Sequence, residues 1–104
     1  RWAGKETGHV PVITKNRDGS YTVVVKHGMT PGDDDKDDHW IEYVYARNAA
    51  GAIVGIQKFV PTDEKPTISF TVPEGSGAIT PFSYCNLHGM WKGDVYPLTL
   101  YAKY

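Results

Sequence analysis

About seven short stretches of this 104-residue chain carry β-branched and aromatic residues in two-residue alternation, with turn-forming residues between them. No stretch keeps a 3.6-residue apolar period for longer than two turns. Ile68, Phe70 and Val72 alternate with Thr67, Ser69 and Thr71. Ser20–Lys26 is β-branched and aromatic behind the turn pair Asp18-Gly19. Trp40–Arg47 alternates, which places Ile41, Tyr43 and Tyr45 on one face and Trp40, Glu42 and Val44 on the other. Asn48–Gly51 then turns the chain into a strand over Ile53–Val60. One further strand ends near Tyr84, and another covers Val95–Tyr104. Such spacing predicts an all-β, immunoglobulin-like sandwich of about seven strands, in one domain over residues 1–104.

A chain of this length buries roughly 65% of its unfolded surface, enough for one core. Its single cysteine forbids an internal disulfide, so packing, and a metal if one binds, must supply the stability. A net charge of −1 with no basic cluster gives no footing for nucleic acid. No apolar run approaches the roughly 18 residues of a membrane span. The chain starts at Arg1-Trp2, which fits either a trimmed start or signal removal and so leaves cytoplasm and periplasm both open.

Cys85-Asn86-Leu87-His88-Gly89-Met90-Trp91 carries the chemistry. A thiolate and an imidazole separated by two residues can reach one metal from a tight loop, and the following glycine lets the backbone turn without crowding them. The plain alternative is a buried free cysteine beside an unrelated histidine. Trp91 reads first as core packing, with shielding of the site as the second reading.

The same seven residues match the iron loop of the superoxide reductases, the neelaredoxin and desulfoferrodoxin family, which reads Cys-Asn-x-His-Gly-x-Trp. His9-Val10-Pro11-Val12-Ile13 resembles that family's first histidine ligand and the segment after it. Asp38-His39-Trp40-Ile41-Glu42 is similar to its acidic-His-aromatic-Ile segment. The resemblance implies one iron, Fe2+ or Fe3+, held by four imidazoles and an axial thiolate. The chain has four histidines and one cysteine: His9, His27, His39, His88 and Cys85. In the family the second histidine stands six residues before the third, whereas His27 and His39 are twelve apart. We read the difference as a loop insertion that includes the acidic run Asp33–Asp38, whose carboxylates are expected to face away from the site. Calcium binding by that run is the lesser reading, because the full oxygen-ligand loop pattern is missing.

By the same resemblance the chain is a one-iron enzyme of the neelaredoxin type, since the four-cysteine module of two-iron members cannot exist with one cysteine. Superoxide would gain one electron and two protons and leave as hydrogen peroxide. A small rubredoxin-like protein would restore the electron. The resemblance further implies a homo-oligomer, dimer or tetramer, and by family habit the cytoplasm. The family's Glu-Lys pair before the first histidine is absent, and Thr7-Gly8 stands there. Lys5 and Glu6, just upstream and in reversed order, are the candidate catalytic substitutes, with Lys92 as a second candidate lysine. Two rival readings remain. One is a blue-copper electron carrier using Cys85, His88, Met90 and an upstream histidine. The other is a metal-free interaction module on the same fold.

Overall fold

A computed structural model describes residues 6–27, 29, 39–63 and 65–96, with the side chains of residues 6 and 7 left aside. Among the described residues, one helical turn, α1 (Glu6–His9), precedes seven strands. These are β1 (Val12–Lys15), β2 (Tyr21–Val24), β3 (Ile41–Arg47), β4 (Ile53–Lys58), β5 (Thr67–Phe70), β6 (Thr80–Cys85) and β7 (Gly89–Lys92). They form two antiparallel sheets, one ordered β1-β2-β5 and the other β4-β3-β6-β7. The all-β sandwich agrees with the expected fold class, while its division into three and four strands comes from the structure. Lys5 and the acidic run Asp33–Asp38 lie outside the described residues, as does the expected last strand beyond Tyr96. At its start, Tyr96 exchanges backbone hydrogen bonds with Ile79.

Local chemistry explains the turns. Between β1 and β2, the Asp18 carboxylate accepts from the Ser20 N–H at 2.9 Å and from its hydroxyl at 2.6 Å. These two bonds hold the Asp18 carboxyl below its ordinary range. After β3, the Asn48 side chain accepts from the N–H groups of Ala50 and Ala52, closing the turn into β4.

The core lies where the two sheets face each other. Val23, Val25, Ile41, Val44, Phe59, Ile68 and Cys85 pack together, flanked by Ile13, Met29, Trp40 and Phe70. Burying an aliphatic side chain of this size contributes about 1.5–3 kcal/mol, so these residues dominate the sandwich's stability. Strand β3 departs from strict alternation. Its pairing with β6 shifts between Ile41 and Tyr43, so Val44 and Ala46, not Tyr43 and Tyr45, share the core face with Ile41. A bulge of this kind reverses which side chains face inward beyond it. Tyr45 instead stacks on Phe82 at 4.9 Å, away from the core cluster. The register sets Cys85 opposite Ile41, two residues past His39.

Candidate metal centre

Five ends of structure converge at one edge of the sandwich. His9 closes α1, His27 lies three residues past β2, and His39 lies two before β3. Cys85 is the last residue of β6, and His88 ends the short turn before β7. The turn is possible because Gly89 adopts φ 79°, a conformation that L side chains rarely take. Each of the five offers one donor atom, and all five atoms lie within 4.8 Å of one another.

The imidazoles form a closed ring of four. His9 meets His27 at 4.6 Å between ring centroids, His27 meets His39 at 4.6 Å, His39 meets His88 at 5.0 Å, and His88 meets His9 at 4.8 Å. Each ring stands steeply to the next, at 67° to 83°. The facing nitrogens are close, with His88 Nδ1 2.9 Å from His9 Nε2 and His27 Nε2 3.2 Å from His39 Nε2. Cys85 Sγ lies 3.9 Å from His27 Nε2 and 3.8 Å from His88 Nδ1.

These spacings suit a metal ion. Imidazole nitrogens bound at about 2.0–2.1 Å would sit about 3 Å apart when adjacent, as the closest nitrogen pairs here do, whereas the sulfur at 3.8–3.9 Å stands farther out than a metal–sulfur bond of about 2.3 Å requires. Four neutral nitrogens with one thiolate form a donor set for a first-row transition metal, not for calcium, which takes oxygen ligands. Burial is uneven across the group. Cys85 is fully buried and His9 is 5% exposed, whereas His27, His39 and His88 are half-buried. The sulfur side therefore faces the core, and the imidazole side is the accessible one.

The supports around the donors are mostly absent from the motif-level reading. Asn86 ties the cysteine loop to the third histidine's segment. Its side-chain oxygen accepts from the Trp40 N–H at 3.0 Å, and its own N–H donates to the Trp40 carbonyl at 3.2 Å. Trp40 is itself fixed by its indole N–H, which donates to the Phe59 carbonyl at 2.9 Å. Trp91 corrects an expectation. It stacks on the His9 ring at 5.0 Å with 27° between the planes, so its principal contact is a site histidine, not the core cluster. Ser83, which no motif singled out, donates from its buried hydroxyl to the His9 carbonyl at 2.7 Å.

The copper reading loses its axial ligand. Met90 is 60% exposed, alternates along β7 with Trp91, and its sulfur accepts from the Tyr45 hydroxyl at 3.4 Å. Of the proposed catalytic pair, Glu6 opens α1 without a described side chain, and Lys5 lies outside the described residues. Lys92 is an exposed residue of β7. Among the described residues no helix is long and apolar enough to cross a membrane.

Comparison with known proteins gives a consistent result. Residues 2–94 match the family model described as desulfoferrodoxin. The chain is 38% identical over 90 residues to the desulfoferrodoxin of Clostridium acetobutylicum, covering 84% of this chain and 62% of that protein. It therefore spans less than two thirds of that relative. It is 31% identical over 110 residues to the superoxide reductase of Pyrococcus horikoshii, covering 90% of this chain and 89% of that one. Its fold is similar to that of the superoxide reductase from Treponema pallidum, with a TM-score of 0.67 and 26% identity over 88% of this chain and 68% of that one.

Proposed function

The chain belongs to the desulfoferrodoxin family, and from that premise we propose that it is a superoxide reductase with one non-haem iron held by His9, His27, His39, His88 and Cys85. The observation that carries the reading is the convergence of these five donors within 4.8 Å. The balanced reaction takes one superoxide, one electron and two protons to one hydrogen peroxide. When bound there, iron would supply the single electron, and Fe(II) with one thiolate and four neutral imidazoles would carry a net charge of about +1 that attracts a small anion.

The chain's residues divide the remaining work. Cys85 has no solvent around it, and an isolated buried thiolate would be costly. A bound metal cation would offset that cost. His27, His39 and His88 are half-buried, so a small diatomic anion would reach the site past these imidazoles. The Lys5 ammonium substitutes for the family's lysine in drawing in superoxide, and Glu6 assists in proton supply. A small rubredoxin-like protein serves as the electron donor, and the chain self-associates.

Metal analysis of the isolated protein followed by electron paramagnetic resonance tests the centre. A high-spin ferric signal is expected, whereas a cupric signal would support the rival carrier. Product analysis tests the reaction: peroxide should form in step with donor oxidation and without release of dioxygen. Failure to take up ferrous ion under anaerobic conditions would overturn the reading.

A further inference from the structure

His9 belongs to no strand, yet it is 5% exposed. A segment outside the sheets needs other means to hold a side chain in place, and the β6–β7 hairpin provides them. Pro81, Ser83 and Cys85 form the buried face of β6, where a hydroxyl is costly unless it is hydrogen-bonded. The Ser83 hydroxyl is bonded, donating to the His9 carbonyl at 2.7 Å. Directly across the hairpin from Ser83 is Trp91, which stacks on the His9 ring. The indole N–H of Trp91 is buried without a hydrogen-bond partner among the described residues, so the ring and not the N–H makes the useful contact. Beyond it, Gly93 lies so close to the Pro11 carbonyl that an added Cβ would collide with that oxygen.

We propose that Ser83 and Trp91 are positioning residues that clamp His9, Ser83 through its backbone and Trp91 through its ring. The inference rests on the metal-centre reading above. Ser83 and Cys85 are neighbours on one face of one strand, so anchoring the His9 carbonyl to Ser83 fixes the spacing between the first histidine and the thiolate. Trp91 then limits rotation of the imidazole, so that Nε2 stays directed toward His88 Nδ1. One hairpin thus supplies two donors and aims a third.

The test is anaerobic titration with ferrous ion of the wild type, Ser83→Ala, Ser83→Thr, Trp91→Phe and Trp91→Leu. It is accompanied by nuclear magnetic resonance of the histidine rings in the metal-free proteins. Removing a residue that orients a metal ligand typically costs 10- to 100-fold in affinity. Ser83→Ala and Trp91→Leu should each weaken ferrous binding by about tenfold. Ser83→Thr, which keeps the hydroxyl, and Trp91→Phe, which keeps the stack, should stay near wild type. The His9 ring resonances should move in metal-free Ser83→Ala while those of His39 do not. Wild-type affinity in Ser83→Ala with an unmoved His9 would overturn the clamp while leaving the iron reading intact. If Ser83→Ala does not fold, equal affinities of Trp91→Phe and Trp91→Leu overturn it instead. A wild type that binds no ferrous ion overturns both.

Discussion

The Nε2 atoms of His27 and His39 lie 3.2 Å apart although twelve residues separate them in the chain. His27 follows a strand of the three-stranded sheet and His39 precedes a strand of the four-stranded one, so this contact joins the two sheets. The facing ends of the two sheets thus bring the two imidazoles together. His27→Ala should lower ferrous affinity by at least about tenfold, as losing an oriented ligand does, and should change the symmetry of the ferric resonance. An unchanged spectrum would place His27 outside the ligand set, as a histidine that merely follows a strand.

Cys85→Ser should abolish the thiolate-to-iron charge-transfer absorption and most reductase activity. Serine is a harder donor whose hydroxyl stays largely protonated, and the site of Cys85 is fully buried, which disfavours an alkoxide further. Visible spectroscopy of the reconstituted variant checks this. A retained band would exclude the thiolate assignment.

Gly93→Ala should destabilise the protein even without metal. The new methyl group meets backbone, the Pro11 carbonyl, with the Pro81 ring also close at 3.0 Å. Overpacking of this kind costs about 1–3 kcal/mol, and a backbone obstacle that cannot rotate aside places the effect at the upper end. Urea unfolding of the metal-free protein should show the loss as a lower midpoint at unchanged slope.

Chelation should lower the melting temperature without unfolding the protein at room temperature, because the core residues form a cluster of their own. A ligand held at 100 times its dissociation constant stabilises by about 2.7 kcal/mol. For a domain near this size that corresponds to a shift on the order of 10 °C. Calorimetry with and without bound iron measures it, and coincident transitions would contradict binding to the folded state alone.

Lys5→Ala should slow the encounter with superoxide by roughly tenfold at low salt, the lower end of electrostatic steering. The deficit should shrink as salt is added, since the screening length is about 10 Å at 0.1 M. Lys92→Ala, an exposed position on β7, is the paired control. Pulse-radiolysis rates across a salt series decide between them. Equal rates for Lys5→Ala and wild type at every salt would leave the metal centre's own charge as the attractor.

The donors were legible because imidazole and thiolate are scarce here and chemically distinctive. Their supports were not. Ser83 looks like any strand serine until β6 and the His9 segment are brought together across 74 residues of sequence. Two strands also escaped the alternation pattern. In β1 only Ile13 is even partly buried, and β7 is four residues long and starts with the glycine of the ligand turn. The reversed facing of β3 came from its pairing shift opposite β6, a property of two strands together that the alternation of one cannot carry.

The 79-position separation of His9 and His88 also orders events during synthesis. Three of the four histidines leave the ribosome before the one thiol does. A chain made only through β5 offers three of the site's imidazoles without its thiolate, a set that many first-row metals satisfy. The thiolate arrives with β6 and the fourth imidazole directly after it, so discrimination among metals is deferred until the sixth and seventh strands emerge.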